Sequence, residues 1–272
     1  IRKYHPSNTN RDIAVHFKFY DWFQYHACML SRTLSRDWRP TLLNCINPLL
    51  QARAMAYSKR EPRHAEILEY WTGHTAQKPL GPVAYNGAFV QKWFQGGTAV
   101  DAEIRERFSK DLDDMRTGKL EHWRNEPESA IAGVVLMDQF TRNMFRNQPQ
   151  AFEMDPKALS WAKHILENNM LEGLPQMLRL LVLLPFMHAE SLPEQEQCVQ
   201  LHQDFIADLE KYPSAEEAKP LLGFVCTAAK YAEDHRDVIA KWGRFPHRNT
   251  ALGRASTAEE ALGLQEGSIP RF

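Results

Sequence analysis

At 272 residues and 31.5 kDa, with 43% hydrophobic and 25% charged residues, the chain has an ordinary globular composition. That length buries a core unaided, which excludes a disordered protein, a collagen-like fibre and a disulfide-stapled secreted module. The net charge of −1 hides a split: residues 1–60 carry ten Lys/Arg against three Asp and no Glu, net +7, leaving 23 bases and 31 acids, net −8, for 61–272. A basic segment on an acidic body points either to an anionic partner or to folding back on that body.

Along the chain the pattern is helical. Val15, Phe19, Trp22, Phe23, His26 and Leu30 give Asp12–Ser35 the spacing of an amphipathic helix, and Pro40 opens a second along Leu43, Ile46, Leu50 and Ala54. The charged stretch 58–63 then reads as a connector, dividing a basic helical extension, 1–63, from an all-helical body, 64–272. Residues 72–98, rich in Gly and Pro, read as a loop and a surface excursion. Val100, Ile104, Phe108, Leu112 and Met115 repeat every three or four residues, a strong helix signal. Asp155-Pro156 has the form of a helix start, and Ser191-x-x-Glu194, Ser214-x-x-Glu217 and Thr257-x-x-Glu260 match capping boxes. The fold class is therefore all-α.

Cys28, Cys45, Cys198 and Cys226 stand far apart with no C-x-x-C pair, which fits a reducing compartment and argues against a zinc or redox motif. The longest apolar run, Leu180–Met187, is far short of the about 20 residues of a spanning helix. The first residue is Ile1, and the Arg-rich, Glu-free start has the composition expected after an organellar transit peptide is removed. A mitochondrial setting is the expectation, and a cytoplasmic one the alternative.

No nucleotide-binding glycine loop, nucleophile elbow, H-E-x-x-H or EF-hand loop is present, so no cofactor and no metal is expected. Polar residues capable of chemistry gather in three stretches. The first is the run Asp138, Gln139, Arg142, Asn143 and Arg146, directly after the apolar-all-round segment Ile131–Met137. On a continuing helix Asp138, Arg142 and Arg146 stack at four-residue intervals, with Gln139 and Asn143 as the neighbouring row. A carboxylate placed straight after seven apolar residues is expected to be buried and to need partners. In the second stretch, His188 and Glu190 follow a buried apolar helix expected to end at Pro185. On a helix they stand about 200° apart and cannot share a metal, so only a non-helical backbone lets both face one site. The third stretch, a Pro-containing loop, concentrates Arg244, His247, Arg248 and Arg254, a set able to grip a carboxylate or phosphate.

Three readings stay open for these residues. The arginines pair with Asp138 and Glu190 and serve structure, or the set lines a cleft for an anionic ligand, or it performs acid/base catalysis with Asp138, His188, Glu190 and His247. In the last two cases Gln139, Arg142, Asn143, Arg146, Arg244, Arg248 and Arg254 bind. The structural reading is favoured because paired buried ions are commonly structural. The tryptophans read as core or interface anchors, and Met137, Met144, Met177 and Met187 as gap-fillers. Basic and aromatic residues over 15–39 make single-stranded nucleic acid a minority alternative.

The stretches 136–152, 184–192 and 241–260, with ILEYWTG (67–73), KWF (92–94), AVDAEIRERF (99–108) and Phe272, resemble the domain-of-unknown-function 924 family over about residues 64–272. The resemblance implies a right-handed superhelix of helix pairs similar to tetratricopeptide folds, and no established activity. Two positions depart from the family pattern: Thr141 stands where Pro is usual, and Ala189 where Ser is common. The extension 1–63 lies outside the resemblance. The functional expectation is a non-catalytic helical subunit of a larger protein assembly, docking through that extension. The alternative is an enzyme or small anionic-ligand protein using the Asp/His/Glu/Arg cleft.

Overall fold

The computed structural model describes residues 62–75 and 78–272. The two helices expected within 12–54, and the extension they belong to, lie outside the described residues. Among the described residues every regular element is helical. The order is α1 (Arg63–Thr72), α2 (Gly87–Gln95), α3 (Gly97–Arg116), α4 (Pro127–Val134), a π-helical turn (Val135–Phe140), α5 (Thr141–Met144), α6 (Asp155–Glu167), α7 (Gln176–Met187), α8 (Leu192–Glu210), α9 (Ala215–Trp242) and α10 (Ala258–Glu266). Packed pairs run through this order: α1 lies on α4, α4 on α6, α6 on α7, α7 on α8, and α8 on α9. The fold is all-α and built of helix pairs.

The periodic run of α3 forms as the spacing predicts. Ile104, Phe108, Leu112 and Met115 are all fully buried, each contributing about 1.5–3 kcal/mol on removal from water. The two apolar-all-round segments have a topological explanation. Residues 130–137 are buried on every side, and α4 approaches α6 so closely that the Trp161 ring occupies the space a side chain at Gly133 would need. Helix α7 separates two cores. Leu178, Leu181, Val182 and Phe186 face one shared with α1, α3, α4 and α6, while Met177, Leu180 and Leu183 face another shared with α8 and α9. A helix with a core on either side has no polar face to offer, hence its sequence.

Four expectations need correction. The stretch 72–98 is not a surface excursion throughout: it contains α2, buries Val83 and Val90, and its Trp93 Nε1 donates to the Trp71 carbonyl at 2.7 Å. Of the three capping boxes only Thr257–Glu260 forms. Ser191 and Ser214 make no side-chain cap, and Glu194 pairs with Lys163 instead. Asp155 is the first residue of α6 rather than its N-cap, and its carboxylate faces Arg142. Helix α7 continues past Pro185 to Met187. Trp71, Trp123 and Trp161 and all four singled-out methionines are buried, as core anchors and gap-fillers should be. Among the described residues no helix is long and apolar enough to cross a membrane.

Candidate functional site

The residues singled out in sequence converge where the π-helical turn, the end of α7 and the loop after α9 meet. The π turn comes first. Its Asp138 is fully buried, and side chains reach the carbonyls of the turn: Arg142 Nη1 donates to that of Asp138 at 2.7 Å, and the Thr141 hydroxyl donates to the Met137 carbonyl at 2.8 Å and to that of Asp138 at 3.3 Å. Single-turn π insertions of this kind concentrate at functional sites.

The end of α7 supplies the histidine. Helix termini leave carbonyls unpaired, and here buried side chains take them. Gln195 Nε2 donates to the carbonyls of Met187 and Ala189, each at 2.7 Å, and Arg248 Nη1 donates to that of His188 at 3.0 Å. So held, His188 turns inward and its Nδ1 lies 2.7 Å from Asp138 Oδ1, while Gln139 Nε2 donates to Oδ2 at 2.6 Å. The Asp138 carboxyl stays well below the usual carboxylate range despite burial, chiefly through His188 and Arg142. Burial, and then Arg142, push the His188 imidazole down from its ordinary value. A neutral imidazole beside an ionised carboxylate carries its proton on Nδ1, which leaves Nε2 with a bare lone pair.

Around this dyad the arginines are placed by long-range partners. Arg142 lies 3.4 Å from Asp138 Oδ1, but its two-pronged bond is to Asp155, at 2.8 and 2.9 Å. Arg248 is buried between two aromatic rings, 4.8 Å from the Phe152 centroid and 4.3 Å from that of Phe245, with Asp155 Oδ2 at 3.6 Å. Its Nε is buried with no hydrogen-bond partner, as is Nδ1 of the adjacent His247. Burial and the facing Arg142 lower Arg248 to about 10, and burial and Arg248 lower His247 to about 4.

Other predicted site residues are spent elsewhere. Glu190 accepts two bonds from Arg254, at 2.6 and 2.9 Å, and one from the Phe245 amide at 2.8 Å. The backbone at 188–190 is indeed non-helical, so His188 and Glu190 both face the 245–254 loop, on different partners. Arg244 is not part of the dyad's surroundings: Glu260 holds it with two bonds of 2.7 Å, and those bonds keep Glu260 down at about 2. Asn249 joins the two pairs, accepting from Arg254 at 3.0 Å and donating to Glu260 at 3.3 Å. Arg146 is not stacked over Arg142 as a continuing helix would place it. The helix ends at Met144, and Arg146 and Asn143 both bind Asp101 on α3.

The sequence of the described body decides its family. The sequence model described as "Bacterial protein of unknown function (DUF924)" matches residues 67–268. The chain belongs to this family. A solved structure, that of the protein of unknown function ATU0120 from Agrobacterium tumefaciens, is similar: it is 30% identical, with a TM-score of 0.59, covering 75% of this chain and 97% of that one. No curated protein matches.

Within this DUF924 body several site residues escaped sequence reading. Asp155 looked like a cap, and only the fold brings it between Arg142 and Arg248. His235 sits on α9 as one more helix-face residue, yet its ring stacks on Phe272 at 3.5 Å and lies 6.3 Å from that of His188. Gln195 carries no motif, and the carbonyls left free at the end of α7 were the signal that could have found it. At Ala189 no hydroxyl stands beside the dyad, so His188 has no side-chain nucleophile there to activate. Among the described residues no group of three or more His, Cys, Asp or Glu is placed to hold a metal ion.

Proposed function

We propose that the chain is a non-catalytic helical subunit of a larger protein assembly, mitochondrial in setting, docking through its basic, aromatic-rich extension 1–63. One observation supports this reading above others. Arg142, Arg146, Arg244 and Arg254 are each held two-pronged by a carboxylate of the same chain, namely Asp155, Asp101, Glu260 and Glu190. Guanidinium groups satisfied this way tie helices together and are not free to grip a ligand. The family match begins at Ile67, so the segment of net charge +7 lies outside it, which supports a separate docking role for that segment.

The native mass of the endogenous protein in gently solubilised organelle extract tests this reading. Comigration with a large complex, lost when residues 1–60 are deleted, is the expected result. Migration near 31.5 kDa, or as a small homo-oligomer, contradicts it. The second reading, an enzyme or small anionic-ligand protein, is favoured by a separate observation: the pairing leaves over the His188 Nε2 lone pair and the Arg248 Nε.

A further inference from the structure

The closed ion pairs leave three polar atoms unspent on neighbouring residues: His188 Nε2, which accepts no hydrogen bond, and the buried, partnerless Arg248 Nε and His247 Nδ1. A buried guanidinium N–H without an acceptor is costly, and such orphans in a well-packed protein call for a partner that is missing. Arg248 cannot easily turn to find one, being clamped between the rings of Phe152 and Phe245 and tied to the His188 carbonyl. His188 is equally fixed, yet 15% of its side chain reaches the surface. The Asp138 contact fills Nδ1, so the free side of the ring is Nε2.

The chemistry of these atoms selects a ligand. Nε2 with a bare lone pair needs a hydrogen-bond donor, so it repels a carboxylate or any fully deprotonated oxyanion. Arg248 needs an acceptor, best an anionic oxygen. A hydrogen-phosphate group offers both on a single phosphorus, a P–OH for the imidazole and a P–O⁻ for the guanidinium. The surroundings set the charge: Arg142 and Arg248 are balanced by Asp138 and Asp155, so the site has no excess positive charge to hold a highly charged anion.

We propose that the Asp138–His188 dyad and Arg248 form a binding site for a small ligand bearing a hydrogen-phosphate group. His188 Nε2 accepts the P–OH hydrogen bond and Arg248 donates to an anionic phosphate oxygen. The position of Asp138 on a π-helical turn agrees with a site rather than a plain helix contact. Asp138 is a positioning residue here: it sets which ring nitrogen is bare and does not touch the ligand. The proposal rests on the second reading above, that the dyad is open.

The test is carbethoxylation of the full chain at pH 7 with diethylpyrocarbonate, which attacks bare imidazole nitrogens, mapped residue by residue by mass spectrometry. The exposed His122 is the internal standard. Inorganic phosphate is the probe, and sulfate, which has no hydroxyl proton at this pH, the control. His188 is expected to react, and phosphate to slow it at least tenfold while sulfate and His122 show little change. The variant His188→Asn keeps a donor toward Asp138 in place of Nδ1 and removes Nε2; it is expected to fold and to lose phosphate binding by calorimetry. Reaction of His188 at one rate with and without phosphate overturns the ligand and leaves the open dyad standing. Equal protection by sulfate overturns the requirement for a hydroxyl. Inertness of His188 under conditions that modify His122 overturns the open dyad and the ligand together.

Discussion

Asp138→Ala lowers the unfolding free energy of the chain by about 3–5 kcal/mol, read from urea denaturation at pH 7. The carboxylate is fully buried, and its removal leaves four groups short of a partner. His188 Nδ1 and Gln139 Nε2 lose their acceptor, and Arg142 and Arg248 each lose one of the carboxylates they face. Asp138→Asn costs less, about 1–3 kcal/mol, because its amide oxygen still accepts from His188. Near-equal losses for the two variants would mean that the charge, and not the hydrogen bond, holds this junction. A loss below about 1 kcal/mol for Asp138→Ala would contradict a buried dyad altogether.

Lowering the pH from 7 to 5.5 costs on the order of 3 kcal/mol of stability before carboxylates titrate appreciably. The groups responsible are His235, pushed down to about 3 by burial and then by His188, His247 at about 4, and His188 itself. Arg248 and His247 also face His235, and its Nδ1 contacts the Tyr231 carbonyl at 2.7 Å. Folding keeps these rings neutral, so above about 6.5 neither state binds the protons and stability is whole. Below that value the unfolded chain takes up protons that the folded chain refuses, and stability falls with pH. A second loss follows below about pH 5, where Glu190, Glu260 and then Asp138, all held below their ordinary values when folded, protonate in the unfolded chain first. His235→Phe, which keeps a ring to stack on Phe272, should flatten the first stage. Urea midpoints unchanged between pH 7 and 5 in the unsubstituted protein would contradict buried neutral histidines.

Local signals carried the fold further than the site. The repeat through Val100–Met115 fixes a helix face because spacing along one helix is a local property. The segments Ile131–Met137 and Leu180–Met187 declare themselves buried because only a central helix dispenses with a polar face. Thr257 and Glu260 form their cap, but Ser191 and Ser214 do not, and at Ser191 the Glu194 carboxylate is taken by Lys163 instead. The site is non-local. Nothing near Arg142 in sequence announces Asp155, whose short spacing to Pro156 reads as a helix start. Arg146 leaves its expected row because a π turn and an early helix end rotate it toward Asp101. His235 joins the cluster only because α9 passes the end of α7. The residue types were legible and their partners were not: Glu190 with Arg254 and Arg244 with Glu260 are contacts across the loop after α9, which the fold alone decides.

The claim on which the site rests is that buried Asp138 holds the proton of His188 on Nδ1 and leaves Nε2 bare. Nitrogen-15 chemical shifts of the His188 ring in the full chain at pH 7 report it directly. A protonated Nδ1 and an unprotonated Nε2, both lost as a single signature in Asp138→Ala, is the predicted result. A proton on Nε2, or on both nitrogens, would contradict it.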